Sequence, residues 1–247
     1  MERYQLILAY DGTLFSGFQR QGRERTVQLV LEEALRQLDW PERSILCAGR
    51  TDTGVHATGQ VISFALEWNH SLEDLRNALN ARLPDDVSVM DVKIANPEFH
   101  PRFDALSRTY EYRIYFSPAR NPLKDRIAWR IWPRIEFDRL LEAAPCFLGI
   151  HDFSSFGKAM KPGGSTIREV HESDWTLSIE GDLKYRVTAN AFLYHMIRRF
   201  VWQQFLYATG RITIEMLKNA IENAASLPPG MAPPNGLALV QINYLER

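Results

Sequence analysis

Only two cysteines, Cys47 and Cys146, occur in 247 residues. Neither belongs to a CxxC or Cys/His spacing, which excludes a disulfide framework and a zinc centre as organising devices. Both thiols are expected to be reduced and buried. No apolar run approaches the roughly 20 residues that cross a bilayer, and the opening MERYQLILAYDG carries Glu2 and soon reaches a polar turn, unlike a secretory leader. No membrane association is expected, and the cytoplasm is the expected compartment. An excess of one charge is missing too: 29 Lys+Arg oppose 30 Asp+Glu, so overall charge gives no argument for a nucleic-acid partner. Lysine is scarce, 6 against 23 arginines, and arginine is the cation that grips phosphate bidentately and stacks on bases. GxGxxG, P-loop, HExxH and GxSxG are all absent, which removes the common dinucleotide, metalloprotease and serine-hydrolase readings. The six histidines offer no ligand spacing, so no metal is expected.

What is present reads as alternating strands and helices. Tyr4 to Tyr10 is β-prone and stopped by Asp11-Gly12; Val27, Val30, Leu31, Ala34, Leu35 and Leu38 recur at helical spacing over Thr26 to Leu38. Short strands are expected at 45–48 and 60–64, a helix from the Ser71-x-x-Asp74 capping box to Leu83, and a strand at 87–94. The second half adds strands at 108–116, 167–177 and 184–191, helices at 193–209 (closed by Gly210) and 214–225, and a last strand at 237–244. This pattern predicts an α+β protein with sheets covered on one face, divided into 1–104 and 105–247.

The most informative stretch is Cys47-Ala-Gly-Arg-Thr-Asp-Thr-Gly-Val-His-Ala-Thr-Gly-Gln60. Glycines at 49, 54 and 59 permit turns that let a substrate approach closely. Asp52 follows Arg50 by two positions, and a neighbouring cation favours the ionised form, so Asp52 is expected as a carboxylate able to attack carbon or accept a proton. Against this stands the plain reading of a loop aspartate as a turn residue or cap. Asp11-Gly12-Thr13 resembles the DxDGT of haloacid-dehalogenase-like phosphatases, but the nucleophile position is Ala9, and a turn is expected instead. Tyr110 and Tyr112 share one strand face and Arg113 takes the other; aromatics so placed belong to a core, or in a cleft stack on an unpaired base. Arg198 and Arg199 lie on the most regular helix, either on a solvated surface or with Arg198 turned inward to a buried acid.

Five blocks in order, YDGTLFSGFQRQ (10–21), GRTDTGVHATGQVISF (49–64), FHPRFDALSRTYEYRI (99–114), NAFLYHMIRRFV (190–201) and APPNGLALVQINY (232–244), resemble the TruA-type pseudouridine synthases. Those enzymes isomerise uridines in the anticodon stem-loop of tRNA. The resemblance implies the pseudouridine synthase fold: two similar α/β lobes with a joined, mainly antiparallel sheet and a central active-site cleft. It further implies a homodimer that needs no cofactor and no metal and takes tRNA as its partner. Carried onto this chain, it makes Asp52 the catalytic aspartate, Tyr110 the aromatic packed on the uracil and Arg198 the ion-pair partner of Asp52. Arg50 becomes a residue that helps displace the target base, and Leu237 an apolar wall. Phe18, Thr53, Arg199 and Trp202 depart from the usual pattern, and Trp202 implies altered packing of its helix. The rival from another class is a non-catalytic RNA-binding module, which needs no Asp52.

Overall fold

The computed structural model describes residues Met1 to Leu245. Its class is the expected α+β with mainly antiparallel sheets. By contacts the chain divides into one unit of Met1–Leu106 joined by the chain from Ala238 onward, and a second of Ser107–Leu237. The division expected at 104 gave the last strand to the second half; by its packing that strand groups with the first.

In the first unit, β1 (Glu2–Tyr10) is followed by α1 (Val27–Arg36), β2 (Leu46–Cys47), β3 (His56–Leu66), α2 (Leu72–Asn80) and β4 (Val87–Ile94). Strict alternation makes β1: Tyr4, Leu6, Leu8 and Tyr10 are buried while their neighbours are half-buried. Helix α1 starts at Thr26, whose hydroxyl accepts the Leu29 N–H, and it buries Val27, Leu31, Ala34 and Leu35. The capping box is formed as expected, with Ser71 and Asp74 satisfying each other's backbone N–H groups. Strand β1 pairs antiparallel with both β3 and β4.

The second unit contains β5 (Ala105–Phe116, from Ser107 onward), β6 (Trp129–Ile131), α3 (Phe137–Ala143), β7 (Gly149–Asp152), β8 (Ile167–Leu177), β9 (Leu183–Ala189), α4 (Met196–Ala208) and α5 (Ile214–Glu222). Strands β5, β9, β8 and β7 form consecutive antiparallel pairs, with β6 parallel to β5. Phe147, Phe153, Phe156 and Phe200 are wholly buried together, Phe147 stacked on Phe200 at 4.0 Å. The chain then enters β10 (Leu237–Tyr244), which runs parallel to β3 through Ala238 opposite His56 and Leu239 opposite Ala57.

Helix α4 begins three residues later than its apolar spacing predicts. The Tyr194 N–H donates to the Lys158 carbonyl at 3.0 Å, and His195 turns the chain at φ 64°. That left-handed backbone costs a residue with a Cβ about 1–2 kcal/mol. Gly210, at φ 72°, closes the helix as expected. Among the described residues no helix is long and apolar enough to cross a membrane.

Candidate active site

The loop carrying Asp52 is held from beneath by polar groups that the sequence concealed inside apolar runs. Tyr10, the last residue of β1, is buried and shares a 2.8 Å hydrogen bond with the Thr51 hydroxyl; burial drives its phenol pKa upward. Gln60, wholly buried on β3, donates to the Gly49 carbonyl at 2.9 Å. The stretch leading into Asp52 is thus tied to the sheet at Gly49 and Thr51, and a buried polar side chain so engaged fixes one arrangement. The signal for this was Gln60 itself, a polar residue in an otherwise apolar strand.

From its other side the loop meets the turn after β1. Phe18 N–H donates to the Thr51 carbonyl at 3.0 Å, Gly54 N–H to the Phe15 carbonyl at 3.3 Å, and Val55 N–H to the Asp52 carbonyl at 3.1 Å. Gly54 adopts φ 77°, the left-handed turn expected of it. Gly59 differs from expectation: it lies within β3, where a Cβ would stand 2.2 Å from the Val240 carbonyl oxygen. Its lack of a side chain admits β10 beside β3 instead of shaping the loop. Asp11-Gly12 is the expected turn, Asp11 accepting the Thr13 N–H at 3.0 Å and Gly12 N–H donating to His56 Nδ1 at 3.0 Å.

On this platform Asp52 is half-buried and Arg50 exposed. Arg50 and Arg102 both place positive charge near Cys47, opposing the upward push that burial gives its thiol. Cys47 and Cys146 are each only half-buried, short of the full burial expected. Among the described residues no group of three or more His, Cys, Asp or Glu is arranged to hold a metal ion.

Tyr110, Arg198 and Leu237 lie in the second unit. Tyr110 is buried at 9% exposure and meets Phe192 edge-on at 5.3 Å. Tyr112, on the same face of β5, is wholly buried; its hydroxyl donates to the Pro233 carbonyl at 2.8 Å, and burial holds its phenol far above the usual value against the opposing charge of Arg198. Arg113 is exposed on the opposite face, as the alternation requires.

Arg198 is half-buried on α4, and its Nε donates to the Ala232 carbonyl at 2.8 Å. It is one of four side chains that fasten the segment before β10: Trp202 Nε1 donates to Pro229 O, Gln203 Nε2 to Pro228 O, and Tyr112 to Pro233 O. The unusual Trp202 finds its place here. Gly230 lies against the Trp202 indole, where a Cβ would come within 2.4 Å, and Phe205 stacks on the same ring at 5.5 Å. So strapped, the proline-rich segment delivers Leu237, 5% exposed, to the start of β10.

Replacing Arg198 by Met removes the donor to Ala232 O, and a stranded carbonyl costs about 1–3 kcal/mol. Arg198→Met is therefore expected to lower the melting temperature by roughly 2–12 °C, whereas Arg43→Met, at an exposed position, is expected to change it little. Equal melting temperatures for the two variants would contradict a fastening role for Arg198.

A family model described as tRNA pseudouridine synthase matches residues 6–104 and 143–245. Among curated proteins, the tRNA pseudouridine synthase A of Methylacidiphilum infernorum is 40% identical over 245 residues, covering 98% of this chain and 95% of that protein. Proteins of the same name from Sinorhizobium fredii and Bacillus subtilis are 39% and 37% identical; the alignments cover 99% and 98% of this chain and 100% and 99% of those proteins.

Proposed function

We infer a mechanism from one premise: the chain belongs to the tRNA pseudouridine synthase family, and it is an isomerase that converts uridine in tRNA to pseudouridine. The RNA-binding module without catalysis is not favoured. Within that activity, the target is a uridine of the anticodon stem-loop, the working form is a homodimer and the compartment is the cytoplasm. The observation that carries the catalytic reading is the Asp52 loop: a half-buried carboxylate on a segment tied to the sheet by Tyr10 and Gln60.

The reaction breaks the bond from N1 to C1', turns the uracil, and joins C1' to C5. A hydrogen leaves C5 and one is gained at N1, so no group is lost or added. It requires an ionised carboxylate near the sugar, a flat surface that retains the free base, and exclusion of water while the base turns. Asp52 fills the first role, by attack on C1' or by removal of the C2' proton. Tyr110 supplies the surface, Leu237 the apolar wall and Arg198 the counter-charge to Asp52. Arg50, exposed beside the catalytic residue, helps move the uridine out of its stack. Flipping costs a few kcal/mol, offset by stacking and by arginine contacts to phosphate.

The test is to incubate an unmodified tRNA transcript with the protein and map pseudouridine along it by carbodiimide labelling and primer extension. New stops confined to the anticodon arm are expected; stops elsewhere would overturn the anticodon assignment. Because recognition rests on shape and backbone, affinity should also fall steeply with salt. A plot of log affinity against log salt is expected to slope at about −2 or steeper, and a flat response in filter binding would contradict it.

A further inference from the structure

One cationic feature of the second unit has no part in the chemistry above. Residues 153–168, from the end of β7 into the first two residues of β8, contain no Asp or Glu but hold Lys158, Lys161 and Arg168, including two of the six lysines in the chain. Both lysines are exposed and flank Met160, itself 48% exposed. The stem of this loop is docked on the segment entering α4. A Cβ on Gly157 would lie 2.6 Å from that of Leu193, and Lys158 and Tyr194 form a β-bridge. Arg168 braces the far end, donating to the Ser165 carbonyl at 2.9 Å.

Beside the docked stem, Tyr194 and His195 stack with ring centroids 3.6 Å apart. His195 takes the left-handed backbone noted above, and Tyr194 beside it is 50% exposed. A residue held in a sparsely populated backbone region marks a place where function is to be sought. With one face on His195 and half of the residue accessible, the ring offers a preformed surface to a base.

We propose that Tyr194, backed by His195, stacks on an unpaired base of the tRNA while Lys158 and Lys161 hold the phosphates beside it. This rests on tRNA being the substrate. The site sets affinity and tRNA preference; it performs no bond chemistry. Its parts differ in how they respond to salt: stacking is nearly insensitive, whereas each phosphate contact adds a counterion to the slope.

The experiment measures binding of an unmodified tRNA transcript at several salt concentrations for the wild type, Tyr194→Ala, Tyr194→Phe and the Lys158→Ala/Lys161→Ala double variant, with melting temperatures alongside. Tyr194→Ala is expected to raise Kd roughly 5- to 100-fold with an unchanged salt slope. Tyr194→Phe, which keeps the ring, is expected to bind like the wild type. The double variant is expected to make the slope shallower by about 1.5–2. Wild-type affinity in Tyr194→Ala together with a wild-type slope in the double variant would overturn the proposal. So would a Tyr194→Phe variant as weak as Tyr194→Ala. If the wild type itself fails to bind tRNA, the substrate assignment falls first and this site with it.

Discussion

Asp52→Asn is expected to reduce conversion of uridine by at least about 10³-fold, since an amide of the same shape cannot act as nucleophile or as base at neutral pH. The same variant should fold normally. The loop is held by main-chain bonds from Phe18 to Thr51, from Gly54 to Phe15 and from Val55 to Asp52, and by the Tyr10 hydroxyl on Thr51. Its melting temperature should stay within about 2 °C of wild type and its tRNA affinity within about threefold, as expected for a substitution that disturbs no packing. Nucleoside analysis of digested tRNA reads the first quantity, and thermal denaturation and filter binding read the others. Turnover near the wild-type level would remove Asp52 from the chemistry.

Gly12→Ala should have the largest effect on folding. A Cβ at this position would stand 2.0 Å from the Val55 carbonyl oxygen and 2.5 Å from its carbon. Neither partner is a side chain that can swing aside, so the turn after β1 and the loop after Asp52 must part. Separation also endangers the Gly12 N–H bond to His56. Overpacking of backbone on backbone lies at the upper end of single-substitution costs, about 3 kcal/mol or more, which corresponds to a fall of roughly 6–12 °C in melting temperature. Activity should fall with it, because the displaced segment carries Asp52. A melting temperature unchanged from wild type would show that the close approach is not fixed in solution.

The long elements were legible because their patterns are local. Strand β4 falls at 87–94 and β8 at 167–177 as expected, and the Ser71/Asp74 box starts α2 one residue after the cap. Three short elements gave no such pattern. Strand β6 has three residues and exists through its partner β5; α3 has no side-chain cap at Glu136; β7 is an exposed edge without alternation. The apolar spacing carries α4 back to Leu193, which fits it, whereas a distant carbonyl, that of Lys158, takes the Tyr194 N–H and the chain turns at His195 instead.

The candidate site was legible in a different way. Asp52 stood out through its glycine-flanked setting, but spacing alone left Arg198 open between surface and interior, and only the Ala232 bond shows what its Nε does. Gln60 and Tyr10 looked like ordinary members of strands, since a side chain's hydrogen-bond partner across the sheet has no signature along the chain. The same holds for Trp202, whose fit depends on a glycine 28 positions away at Gly230.

The most direct measurement of Asp52-dependent isomerisation uses tRNA transcribed with uridine tritiated at C5 and incubated with the protein in the presence of a chelator. Joining C1' to C5 must expel that hydrogen. Tritium is expected in water in step with pseudouridine formed, from the wild type and not from Asp52→Asn. Tritium retained by the RNA in the presence of active wild-type protein, or released equally by both proteins, would contradict it.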